Sequence, residues 1–172
     1  PLVNSSVLSV HKAHFIRGRF GPDCLSLFYE TCDDLSISLT NHAKFSSEFS
    51  KSKSAYTQFT DSWQVNEFKR LINYYGEIGR RDEILDHMLL KAGICINPSD
   101  LYLSISDIRE ICKMGFEIGS HSYSHTLLSR LSYAQQLHEI TSSLTFLQEV
   151  IDQPVLSFCY PYGGSISYND DT

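Results

Sequence analysis

The sequence lacks two features that would point to a membrane or to nucleic acid. No apolar run approaches the roughly 20 residues that a membrane-spanning helix needs. The chain has 14 Lys and Arg against 20 Asp and Glu, which gives a net charge of -6, and its longest basic run is Arg80-Arg81. This balance argues against nucleic acid or an anionic membrane surface as the main partner. We expect a soluble protein of the cytoplasm or the cell envelope that acts on a neutral or polar small substrate, with its oligomeric state open.

Paired cysteines are also missing. The chain has five cysteines, an odd number, and none of them forms a Cys-x-x-Cys pair. They lie mostly among apolar neighbours, at Cys24, Cys32, Cys95, Cys112 and Cys159. This pattern favours buried free thiols in a reducing compartment over a disulfide framework or a thiolate metal site.

The first half of the chain is typical of a helical subdomain. With 172 residues and 42% hydrophobic residues, the chain is about one domain long. Its clearest apolar stripe, at helical spacing, consists of Val65, Phe68, Leu71, Ile72 and Tyr75. Residues 46–60 lack periodicity and predict a loop, and Gly93 predicts a helix end. We therefore predict a helical subdomain over residues 1–93 and a β/α portion over residues 94–172.

The second half alternates between strand and helix signals. Residues 104–107 and 132–135 have the form of capping boxes, and each precedes a predicted helix. Residues 116–119 and 155–160 predict strands on either side of the helix at 132–151. The apolar face of that helix should lie on the sheet, and it consists of Leu137, Ile140, Leu144, Leu147 and Ile151. This order indicates a parallel sheet or barrel, of which the chain holds a part.

Two histidines follow the first predicted strand. His121 and His125 are four residues apart, with small serines between them. Two neutral imidazoles together with one carboxylate suit Zn²⁺, Co²⁺ or Ni²⁺ and leave positions for water and substrate. Such an ion lowers the pKa of a bound water molecule and polarises a carbonyl, which favours hydrolysis. The alternative is that both histidines only cap the next helix or form hydrogen bonds within a loop.

The second predicted strand ends in a tight loop, Tyr160-Pro161-Tyr162-Gly163-Gly164. Proline fixes one backbone angle, and glycine permits the conformations that a close approach to a ligand requires. Such a loop can present a backbone N–H to a developing oxyanion. Taken alone the motif is also typical of a plain turn, and its position one β/α unit after the histidines is what indicates a site.

These motifs together resemble the polysaccharide deacetylases, the NodB homology domain of carbohydrate esterase family four. The resemblance covers residues 103–164, with the segments around His121 and His125 and the Tyr160 to Gly163 loop. It implies a distorted (β/α) barrel and removal of acetyl groups from acetylated sugars or polysaccharide, with a divalent metal, Zn²⁺ by preference. It also implies that both histidines are metal ligands, that the Tyr162 backbone N–H stabilises the oxyanion, and that Tyr160, Pro161 and Gly163 bind substrate.

The sequence departs from the family pattern at two places. Cys159 stands where the third motif often has an arginine, and no segment clearly carries the first motif, Thr-Phe-Asp-Asp-Gly, which supplies the base and the metal carboxylate. Thr31-Cys32-Asp33-Asp34 is the one candidate, with Asp33 as base, and it can equally be a solvated helix end. The resemblance otherwise implies that the Asp-Asp strand lies upstream of Pro1 and the last motif beyond Thr172.

Three hypotheses follow for the function. The first is a metal-dependent deacetylase present as an incomplete catalytic domain, which predicts weak metal binding and no deacetylase activity for these residues alone. The second is a non-catalytic carbohydrate-binding relative that keeps the scaffold without the Asp pair. The third is that the helical first half is a partner-docking module.

Overall fold

The computed structural model of the chain describes residues 6–38, 56, 60–75, 78–164 and 166–172. These residues form two compact units. One is Ser9–Ile96, and the other is Asn97–Thr172 together with the described residues before Ser9. The predicted loop at residues 46–60 lies almost wholly outside the described residues. The division into domains at residue 93 stays a prediction.

The first unit is helical, as its apolar periodicity predicts. Its α-helices are α1 (Ser9–Phe20), α2 (Cys24–Asp34), α3 (Trp63–Arg70) and α4 (Ile78–Lys91). A 3₁₀ turn at Gly21–Asp23 joins α1 to α2, and α3 continues into a π-helical segment at Leu71–Tyr75. After α4, Gly93 adopts a φ of 64°. This left-handed conformation ends the helix at the predicted glycine.

The core of this unit contains the predicted apolar stripe. Val65, Phe68, Leu71 and Ile72 are buried in one cluster with residues of α1, α2 and α4. Phe28 of α2 meets Phe68 edge to face, with ring centres 6.2 Å apart. Aromatic pairs in this geometry add to the free energy gained from burial alone. The predicted stripe is confirmed for these four residues, and the side chain of Tyr75 lies outside the described residues.

The second unit begins its helices at the predicted capping boxes. The α-helices here are α5 (Ile105–Lys113) and α6 (Tyr133–Ile151). Ser104 caps α5 with Asp107 in return, and Ser132 caps α6 with Gln135 in return. Each pair satisfies two backbone N–H groups that a helix end would otherwise leave without an acceptor. Both capping predictions are confirmed.

The predicted (β/α) barrel is wrong for this structure. The described residues contain no extended strand. Ser120, directly after residues 116–119, forms one isolated parallel bridge with Phe158 of residues 155–160. A strand pair is stable when further strands or a helix bury its faces. Here Phe116 is 61% exposed and Leu156 is 88% exposed. The two segments therefore have the composition of β-strands but lack, among the described residues, the neighbouring strands or helices that would stabilise a sheet.

Helix α6 also buries a different face from the predicted one. Leu137 is 49% exposed, whereas Gln136, Glu139, Ser143 and Val150 are buried. The polar members of this inner face can be buried because neighbouring loops satisfy their hydrogen-bonding groups. For example, the Gln136 side-chain amide donates to the Leu131 carbonyl at 3.1 Å. The predicted apolar stripe was therefore misplaced by about one residue around the helix.

All five cysteines are free thiols, as predicted. Cys24 and Cys32 are buried, and burial raises the pKa of each thiol to about 11. Cys95 and Cys159 are exposed, so the prediction of burial is wrong for these two. Within the described part of the chain, no helix has both the length and the apolar character that crossing a membrane requires.

Candidate metal centre

A pair of backbone hydrogen bonds brings the histidine segment and the Tyr160 to Gly163 loop together. The Ser120 N–H donates to the Ser157 carbonyl, and the Cys159 N–H donates to the Ser120 carbonyl, both at 2.9 Å. The pairing is parallel, so the residues that follow each segment leave it at the same end. His121 and the loop after Cys159 therefore meet, which is the juxtaposition that the sequence predicts.

His121 is oriented by the backbone of the neighbouring segment. Its Nδ1 lies 2.8 Å from the Cys159 carbonyl oxygen. Because a carbonyl oxygen only accepts hydrogen bonds, Nδ1 must carry the proton and donate it. In the neutral imidazole this leaves the lone pair on Nε2. Metal-binding histidines in proteins are typically held in this way, with one ring nitrogen donating to a carbonyl or carboxylate and the other facing the ion.

His125 is placed by a loop with unusual backbone angles. Both Ser122 and His125 have positive φ values, 66° and 56°. Residues other than glycine adopt this region uncommonly and at a cost in energy, and such residues cluster at functional sites. The His125 N–H donates to the Ser122 hydroxyl at 3.1 Å and closes the turn. The loop thereby turns His125 back towards His121.

The two imidazoles have the spacing of a metal-binding pair. Their ring centres are 4.9 Å apart and their planes are inclined by 71°. Two imidazoles on one tetrahedral zinc, with Zn–N bonds of about 2.0–2.1 Å, have ring centres about 5 Å apart. The donor set and the spacing therefore fit a divalent ion. Among the described residues, however, no group of three or more His, Cys, Asp or Glu side chains is arranged to hold a metal.

The loop after Cys159 packs against this pair. The ring of Tyr162 meets the ring of His125 edge to face, with centres 5.0 Å apart. Tyr162 and Gly163 both have positive φ values, 69° and 65°. The sequence predicted a role for the Tyr162 backbone N–H, which stays a prediction, but it did not predict the ring contact. This contact limits the positions that the His125 ring can adopt.

The remaining predicted site residues differ in their surroundings. Pro161 is fully buried, whereas Tyr160 is 37% exposed and its ring stacks on that of Tyr168 at 4.8 Å. Tyr160 therefore has side-chain surface that a ligand can reach. Asp33 lies exposed near the end of α2, in the helical unit. Its assignment as base stays a prediction, as do the substrate-binding roles.

Glu139 is a residue of this site that the sequence did not reveal. It lies on α6 and is only 8% exposed. Its carboxylate accepts hydrogen bonds from the backbone of Tyr123 and Ser124, between the two histidines. In the sequence pattern Glu139 lies beside the predicted apolar stripe of α6, where a glutamate is expected to face solvent. The available signal is that α6 has Gln136, Glu139 and Ser143 at helical spacing, a polar line directly after a histidine motif.

Comparison with models of known protein families shows the family of the chain. The model of the polysaccharide deacetylase family matches residues 28–172. The match spans most of the chain, and the chain therefore belongs to the polysaccharide deacetylase family. Comparisons with curated proteins and with solved structures give no significant match. Family membership supports a carbohydrate deacetylase-like function, and it implies an acetylated carbohydrate as the substrate.

Proposed function

We propose that His121 and His125 bind a divalent metal ion, Zn²⁺ by preference, for hydrolytic removal of acetyl groups from an acetylated sugar. One observation carries the proposal: the Cys159 carbonyl fixes the proton of His121 on Nδ1 and directs the lone pair of Nε2 away from that carbonyl. The 4.9 Å separation of the rings supports it. When bound, the ion would act as a Lewis acid towards water and the acetyl carbonyl.

The chain supplies further groups for this reaction. The Tyr162 backbone N–H is proposed to donate to the acetyl oxygen as negative charge develops on it. Tyr160 is proposed to contact the sugar, because amphipathic aromatic rings suit a ligand with both apolar and polar faces. Pro161 and Gly163 shape the loop that carries both tyrosines. A carboxylate is still needed as third ligand and base, and Asp33 is the candidate within the chain.

A two-histidine site without a third protein ligand should bind metal weakly. Because no group of three or more His, Cys, Asp or Glu side chains among the described residues is arranged to hold a metal, we expect the 172-residue chain to bind Zn²⁺ weakly and to show no deacetylase activity. Replacement of Asp33 by Asn tests the remaining candidate. If Asp33 completes the site, D33N weakens Zn²⁺ binding further, and if it is a solvated helix end, the affinity stays that of the unchanged chain.

Calorimetric titration with Zn²⁺ tests the proposal directly. We expect one ion per chain, and His121→Ala and His125→Ala should each lower the affinity at least tenfold. His14→Ala is the matched control, because His14 is an exposed histidine on α1 and should be dispensable. Equal affinity in all four proteins, or loss of binding only in His14→Ala, would contradict the assignment. Circular dichroism confirms that each variant keeps its helices.

A second candidate function is carbohydrate binding without catalysis. The observation that favours it is the stacked pair Tyr160 and Tyr168, both exposed by about two fifths of their surface. In this case the chain should bind an N-acetylated chito-oligosaccharide equally with and without Zn²⁺ and release no acetate. Binding that requires Zn²⁺, or that is accompanied by acetate release lost in His121→Ala, would support the deacetylase instead.

A further inference from the structure

Three hydrogen-bond donors converge on the buried carboxylate of Glu139. The Oε2 atom accepts from the backbone N–H of Tyr123 at 3.1 Å and of Ser124 at 2.8 Å. The Oε1 atom accepts from the Ser124 hydroxyl at 2.7 Å. Hydrogen bonds to an ionised acceptor are stronger than those between neutral groups, and Glu139 is only 8% exposed. Glu139 therefore fixes two consecutive residues of the loop to helix α6.

The fixed residues are the middle of the loop between the two histidines. Ser122 and His125, on either side of them, are the positions with positive φ. Such backbone conformations persist only when surrounding contacts hold them in place. The three bonds to Glu139 are contacts of this kind. Without them, the loop could relax to a more common conformation and carry the His125 ring away from His121.

We propose that Glu139 is a positioning residue for the metal site, which acts by holding the loop at residues 122–125 in the conformation that keeps His121 and His125 at ligand spacing. This inference rests on the proposed function, since it takes the two histidines as metal ligands. Removal of partners that orient metal ligands typically costs about 10–100-fold in metal affinity. An effect of this size is expected when Glu139 can no longer accept hydrogen bonds.

The geometry separates the role of hydrogen bonding from that of charge. In Glu139→Gln, the amide oxygen can accept from both backbone N–H groups while the amide nitrogen donates to the Ser124 hydroxyl. That hydroxyl can then donate to Thr126 Oγ1, which lies 2.8 Å away. The connectivity survives without the negative charge. Glu139→Leu places a somewhat larger apolar side chain there that accepts no hydrogen bond, so it removes all three contacts.

The experiment compares Zn²⁺ affinity in the full chain and three variants. We expect E139L to lose about 10–100-fold in affinity and E139Q to stay within about threefold, since it keeps the hydrogen bonds. The matched control is Glu149→Leu, an exposed glutamate on the same helix, and it should bind as the unchanged chain does. Unchanged affinity in E139L, or an equal loss in E139Q and E139L, would overturn the proposal.

A metal-free measurement keeps this test separate from that of the proposed function. By nuclear magnetic resonance, E139L should lose hydrogen-exchange protection at the Tyr123 and Ser124 amides and shift the ring signals of both histidines, while α6 stays protected. If the unchanged chain binds no Zn²⁺, the proposed function fails, and these signals still decide whether Glu139 holds the loop. Retained protection in E139L would overturn the role. Should E139L not fold, Ser124→Ala removes one of the three bonds and should give a smaller change of the same kind.

Discussion

Replacing Gly119 by alanine tests the close approach that brings the two segments of the site together. A Cβ atom at Gly119 would lie 2.6 Å from the Ser157 hydroxyl oxygen, far inside the normal contact distance. The Ser157 carbonyl oxygen and Cβ would be 3.5 and 3.6 Å away, which are ordinary contacts. The φ angle of Gly119 is not positive, so its backbone is not in the left-handed region and alanine can adopt it. The clash is therefore confined to one hydroxyl group.

The size of the effect follows from two opposing contributions. A glycine-to-alanine change at a compatible backbone position stabilises a protein by about 0.4–1 kcal/mol, because the unfolded chain loses freedom. Displacing Ser157 from its rotamer costs about 0.5–1.5 kcal/mol. G119A alone should therefore change the free energy of unfolding little or lower it. In a Ser157→Ala background the clash disappears, and G119A should stabilise by about 0.4–1 kcal/mol.

Urea denaturation of the single and double variants measures this coupling. We expect an interaction free energy of about 1 kcal/mol between positions 119 and 157, since residues in contact are not additive. Gly18→Ala is the control, because Gly18 lies in α1 and an added Cβ would have nothing within 4 Å beyond its chain neighbours and the backbone of its own helix. It should have the same effect in both backgrounds. Additivity of G119A and S157A within about 0.3 kcal/mol would refute the contact.

Two further predictions concern the helical unit and the thiols. The hydrogen bond from Lys69 lowers the pKa of Asp61 below its usual 3.8. This pair stabilises the fold above pH 3.8, and its contribution is lost as the pH falls through the lowered pKa. Asp61→Asn should therefore lose less stability than the unchanged chain between about pH 4 and pH 2 in thermal unfolding, and an unchanged acid profile would contradict this. The exposed thiol of Cys159 should react with a disulfide reagent in the native state. Cys24 is buried and its pKa is raised to about 11, so its thiol should react only on unfolding. Mass spectrometry after a timed reaction measures both rates, and equal native rates would contradict the burial of Cys24.

Local signals in this sequence were the most dependable. The capping boxes at Ser104 and Ser132 depend on a few adjacent residues, and a serine with an acceptor three positions later satisfies the helix end in nearly any context. The apolar stripe from Val65 to Ile72 is similar, because helical spacing alone decides which side chains share a face. Both could be predicted because the required partners are close in sequence.

Features that depend on distant partners were predicted less well. Residues 116–119 and 155–160 have the composition of strands, but a sheet also requires neighbouring strands, and the described residues provide only the Ser120 to Phe158 bridge. The burial of Glu139 depends on a loop 15 residues earlier in the chain, which donates hydrogen bonds to the Glu139 carboxylate. An isolated sequence assigns such a glutamate to the solvent, since the loop that satisfies it is defined only by the fold.

The pairing of the histidines with the second segment was predicted by an indirect route. The sequence placed both motifs at the ends of parallel strands, and the structure brings them together through one parallel bridge instead of a barrel. A parallel arrangement of even one residue pair is enough to align the ends of two segments. The position of the candidate site was therefore predictable even though the architecture around it was not.

The contact between His121 and residue 159 has a consequence for substitutions at position 159 of this chain. The acceptor is the backbone carbonyl, which every amino acid carries, and the side chain at position 159 takes no part in it. A cysteine, an arginine or a small residue there leaves the tautomer of His121 unaltered. The side chain at position 159 can consequently change without removing the hydrogen bond that orients His121.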